Sequence, residues 1–86
     1  MRIRIPSALR SYTAGAPLVE GRGATLADML ADLDARFPGI RFRIVDEQDR
    51  IRPHIRFFAG EALAKTVAQP LGEDDEVMIV CALSGG

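Results

Sequence analysis

Arg2-Ile3-Arg4-Ile5 alternates polar and apolar residues with period two, the pattern of a half-buried strand with both isoleucines turned inward. Pro6 follows, and its missing N–H ends that strand early. Ser11 to Pro17 is turn-rich, and Leu18-Val19-Glu20 is a short candidate second strand of an N-terminal hairpin. After Thr25 the period changes. Leu26, Met29, Leu30, Leu33 and Phe37 recur at helical spacing as one apolar stripe, with Asp28, Asp32, Asp34 and Arg36 on the other side. Thr25 with Asp28 three residues on resembles a capping box, with Asp in place of the usual Glu. Pro38-Gly39 stops the helix.

Ile40, Phe42 and Ile44 alternate with Arg41 and Arg43, a pattern that leaves strand and irregular backbone both open. Asp46-Glu47-Gln48-Asp49 is a polar turn. Ile55 to Ala59 reads as a strand closed by Gly60, a hairpin-turn or bulge position. Gln69-Pro70-Leu71-Gly72 and the acids Glu73 to Glu76 form a turn into the last strand, Val77 to Ala82. The order β-β-α-(β)-β-β predicts an α+β domain with one main helix on one sheet face. That last strand is apolar on both sides: Val77, Ile79 and Cys81 share one, Met78, Val80 and Ala82 the other. A single helix covers only one of them. The second is either partly covered by loops or an exposed partner-docking patch.

Composition narrows the function. The 86 residues make one domain, with the 48% hydrophobic and 27% charged residues of an ordinary globular protein. A net charge of −1 supplies no basic field for nucleic acid. One cysteine cannot close an intramolecular disulfide. No apolar stretch approaches the roughly 20 residues that span a bilayer, and the N-terminus lacks a signal peptide's apolar centre. A cytoplasmic protein with no membrane partner is expected.

Catalytic chemistry is sparse. His54 reads as a surface or strand-edge residue, and no second His or Cys stands at metal-ligand spacing. Cys81 reads as a small buried side chain. No phosphate-binding glycine loop is present. Arg50, Arg52 and Arg56 are balanced by Asp46, Glu47 and Asp49, a solvated face. Glu73-Asp74-Asp75-Glu76 reads as a turn, with steering of a basic partner toward the nearby tail as its alternative. No intrinsic catalytic group, bound cofactor or metal is expected. What stands out is the ending, Gly85-Gly86 directly behind the apolar run. Glycine has no Cβ and lets a backbone thread a narrow cleft.

Ile5-Pro6-Ser7-Ala8-Leu9-Arg10-Ser11-Tyr12-Thr13 looks like the opening, Gly23-Ala24-Thr25-Leu26 with Met29-Leu30 like the helix entry, and Phe37-Pro38-Gly39 like the helix exit of a known family. Pro70-Leu71, Asp75-Glu76-Val77, Ile79-Val80 and Ala82 through Gly86 look like its final turn, strand and tail. Together these resemble the ubiquitin-like sulfur carrier proteins, which include the small subunit of molybdopterin synthase and the thiamine-pathway and cysteine-pathway carriers. The resemblance implies a β-grasp fold, a mixed sheet of four to five strands on one helix, in a domain 1–82 followed by a tail 83–86. It implies that a partner similar to ubiquitin-activating enzymes uses ATP to adenylate the Gly86 carboxylate. A sulfurtransferase or other persulfide donor then converts it to a thiocarboxylate, for an acceptor enzyme such as a synthase large subunit. Gly85, Ser84 and Leu83 would thread the partner's channel, and Met78, Val80 and Ala82 would dock it. Relatives often carry Gly where Asp74 stands, Asn where Ala59 stands and Pro where Cys81 stands. Asp74 is therefore expected to tolerate a left-handed turn, and Ala59 leaves the hairpin geometry open. A modifier conjugated to lysines through Gly86, and a non-covalent β-grasp binding module, are the alternatives.

Overall fold

A computed structural model of the chain describes residues 1–82. Five strands form one sheet: β1 (Arg2–Arg4), β2 (Leu18–Glu20), β3 (Ile55–Ala59), β4 (Ala62–Ala64) and β5 (Glu76–Cys81). Two helices accompany them, α1 (Leu26–Arg36) and the short α2 (Ile40–Ile44), with a 3-10 turn at Ser7–Leu9. The strand order is β2-β1-β5-β3-β4. β1 and β5 run parallel at the centre, and every other neighbour is antiparallel. This is the mixed sheet of the β-grasp expectation.

Period-two alternation sends Ile3, Val77, Ile79, Ile55 and Phe57 to one sheet face. There they meet Leu26, Met29, Leu30 and Leu33 from α1, all buried. Thr25 caps α1 as expected, its hydroxyl accepting from the Asp28 N–H at 3.3 Å. Gly23 is required by close approach: at φ +156, a Cβ would lie 2.5 Å from the Met29 backbone nitrogen.

The segment after α1 differs from both readings left open for it. Ile40 and Ile44, four apart, are both buried, whereas Phe42 is 52% exposed. The period is therefore helical, and a single turn of α2 docks beside α1. Three alternating residues are too few to tell period two from a four-residue repeat. β4 has no pattern of its own, because Ala62-Leu63-Ala64 carries no β-branched residue, and only the hairpin-turn reading of Gly60 hints at it. Its hairpin closes through Gly60 and Glu61, and the positive φ of +62 falls on Gly60 alone, the type II′ arrangement. Asp74, by contrast, does not occupy the left-handed region; among the described non-glycine residues only Ala14 and Asp49 do. The turn needs no glycine there.

Candidate functional site

β5 lies between β1 and β3, hydrogen-bonded along both edges, so only its two faces are available to other groups. On the inner face Val77 and Ile79 are 1% and 2% exposed. On the outer face Met78 is 40% exposed and Val80 half-buried. The register sets Met78 between Arg4 and Phe58, with Leu18 beyond Arg4 and Leu63 beyond Phe58. Val80 stands opposite Arg56. Met78, Val80, Phe58 and Leu63 thus make an apolar patch with Arg4 and Arg56 beside it in the sheet register. The sequence picked out Met78 and Val80 but missed Phe58 and Leu63. Alternation from Phe57 would have placed Phe58 outward; Leu63 was hidden with its strand.

Ala82 is the third outer residue expected, and it is exposed. Its N–H donates to the His54 carbonyl at 2.7 Å, one pair beyond the end of β5. Leu83, Ser84, Gly85 and Gly86, the expected threading and carrier residues, lie outside the described residues. The described chain therefore leaves the sheet beside exposed His54 at the start of β3.

The two ends of β5 differ in charge. At its start Glu76 accepts from Arg4 Nε at 2.5 Å and lies 3.6 Å from Arg2. The Arg4 hydrogen bond and charge hold the Glu76 carboxyl below the ordinary glutamate range. Asp75 accepts from the Gly72 N–H at 2.7 Å, shaping the turn. These acids stand a strand's length from the exit, which removes the basis for steering a partner at the tail. The exit end instead carries Arg43, His54 and Arg56.

Cys81 faces inward opposite Ile55. Burial pushes its thiol pKa up, partly offset by the Arg43 charge, so it is a weak nucleophile. Among the described residues no cluster of His, Cys, Asp and Glu could hold a metal. No helix there is long and apolar enough to cross a membrane.

Sheet order, the helix across one face and an apolar outer patch on the strand that leads to the C-terminus define a ubiquitin-like β-grasp domain. The chain belongs to the ThiS family, which matches residues 3–86, and with it to the ubiquitin-like sulfur carriers. The sulfur carrier protein CysO of Mycobacterium tuberculosis is 30% identical over 95 aligned residues, covering 98% of this chain and 96% of the relative. The carrier in the crystal structure of the Amycolatopsis orientalis BexX/CysO complex superposes with a TM-score of 0.90 at 27% identity, over 99% of this chain and 98% of that one. Small archaeal modifier protein 1 of Haloferax volcanii shares the fold, with a TM-score of 0.77 at 24% identity over 100% of this chain and 98% of that one.

Proposed function

We propose that Gly86 is the residue that carries the sulfur. A carboxylate is a poor acyl donor; adenylation by an activating partner, with ATP as that partner's substrate, turns it into a good one. The terminal sulfur of a persulfide donor attacks the acyl carbon and displaces AMP, giving an acyl disulfide. A second thiol then attacks the donor's sulfur, ends as a disulfide with it, and releases the thiocarboxylate. The catalytic groups belong to the partners, and this chain is their substrate. The observation that carries the reading is the outer face of β5, where Met78 and Val80 stay solvent-accessible on the strand that runs directly into Leu83-Ser84-Gly85-Gly86. An unburied apolar patch beside the end of the chain suits a partner that must seat the domain before taking its last residues. The CysO of Amycolatopsis orientalis is itself seen in complex with BexX. Similarity to the CysO carriers of Mycobacterium tuberculosis and Amycolatopsis orientalis favours the cysteine-pathway branch of acceptors over the molybdopterin-synthase branch.

Incubating the chain with its adenylating partner, ATP and a persulfide donor tests this. The intact mass should rise by the difference between sulfur and oxygen, and the added sulfur should map to Gly86. A chain lacking Gly86 that still supports sulfur delivery would sink the reading. Gly86-dependent high-mass conjugates in cell lysate would favour the modifier role instead.

A further inference from the structure

The basic side chains of this protein are ten arginines and one lysine, Lys65. That imbalance matters to a chain whose own end becomes an activated acyl group. An amine attacks such a carbonyl readily, whereas a guanidinium stays protonated and does not. Every basic residue placed at the exit end above is arginine or histidine. The exception is close by. Lys65 follows Ala64, which pairs with Phe57, so it stands level with Arg56 and, across β3, with Val80. It is exposed and borders a shallow groove with Arg52, Pro53, Arg56 and Leu63.

Two strand spacings across and two residues along separate the Lys65 position from Ala82, about 12 Å. Four residues follow Ala82, and four residues of extended chain reach at most about 14 Å before the lysine stem is counted. The α-amine of Met1 is a poorer candidate. It donates to the Gly21 carbonyl at 3.2 Å, at the sheet end where Arg2 pairs with Glu76. The length of β5, about 17 Å, separates that end from the exit.

We propose that Lys65 is the acceptor site on this chain for an activated Gly86 that escapes sulfur transfer. The neutral Lys65 Nζ attacks the Gly86 carbonyl carbon. A C–N bond forms, the bond to the leaving group (AMP or a thiol) breaks, and the ammonium proton passes to solvent. The product is an isopeptide link that retires the carrier. In the cell this rests on adenylation of Gly86, but the acceptor can be tested without it.

The full chain is prepared as a Gly86 α-thioester with a small thiol and held in mildly alkaline buffer. The wild type should form a product one water lighter than the free carboxylate, with Lys65 and Gly86 in one linked peptide. This capture should outpace hydrolysis by about tenfold, as expected when nucleophile and acyl group share a chain. Lys65→Arg should only hydrolyse. A Lys65-linked dimer that grows with concentration would identify a second copy as the donor and still support the site. Equal hydrolysis of both proteins, or a link to the Met1 amine, would overturn the proposal. If instead the adenylating partner and ATP leave Gly86 unactivated while the thioester cyclises, the carrier reading fails and the acceptor site stands.

Discussion

The two faces of the sheet's centre are made of equally apolar residues and do opposite things. Val77, Ile79 and Phe57 vanish beneath α1, while Met78, Val80 and Phe58, one position along each strand, look outward. Hydrophobicity alone does not separate them. What separates them is the supply of covering elements: α1 is the one long amphipathic helix among the described residues, and its stripe fits one face. The outer residues are apolar although they stay exposed or half-buried, which points to work done outside the folded chain.

Neighbouring phenylalanines offer the sharpest way to break this comparison. Phe57→Ala should cost about 3–5 kcal/mol, because a fully buried ring leaves a cavity under the helix. Phe58→Ala should cost nearer 1 kcal/mol. Urea titration of the two variants checks this, and equal losses would mean that the outer face is a second core. On the strand beside them, Ile79→Ala should lose about 2–4 kcal/mol. At about 4–8 °C per kcal/mol for a domain of this size, its melting temperature should fall visibly.

Met78→Ala should reverse the order of effects. Its melting temperature should stay near that of the wild type, whereas affinity for the activating partner should drop about tenfold, as for an apolar anchor at an interface centre. Calorimetric titration of partner with each variant measures it. If Met78→Ala binds normally, the docking face lies elsewhere.

Much of this arrangement is legible from the chain itself. The heptad-like stripe from Leu26 to Phe37 is long enough to fix its own period, and Thr25 marks where it starts. Arg2 to Ile5 and Val77 to Cys81 declare two faces each by alternation. Short elements escape. α2 spans five residues and β4 three, fewer than one full repeat of the patterns that would reveal them. Their form is decided by tertiary contact: Ile40 and Ile44 reach the core only as a helical turn, and β4 exists because Gly60 folds the chain back onto β3. The candidate site followed the same rule. Met78 and Val80 came from a long strand, and Leu63 came from a short one that only the sheet pairing exposes. The acids from Glu73 to Glu76 fit their first reading as a turn. The alternative of steering at the tail relied on nearness in sequence and left out the length of a strand between Glu76 and Ala82.

The smallest effect concerns the polar end of that outer face. Glu76 has its carboxyl pKa lowered in the folded state, first by the hydrogen bond from Arg4, then by the Arg4 charge. A lowered folded pKa means that the contribution is complete above the pKa of the unfolded chain. It is lost as pH falls from the ordinary glutamate range through the folded value. Both partners are exposed, so solvent and salt screen the pair. Glu76→Gln should therefore flatten the acid limb of the stability curve slightly while leaving neutral-pH stability nearly unchanged, and added salt should shrink the difference. Thermal melts from neutral to acidic pH at two salt concentrations read both. A large loss in Glu76→Gln at neutral pH would show that Arg4, freed of its partner, disturbs the packing around Met78. The outer face would then be held in place by its charges as well as left open by the single helix.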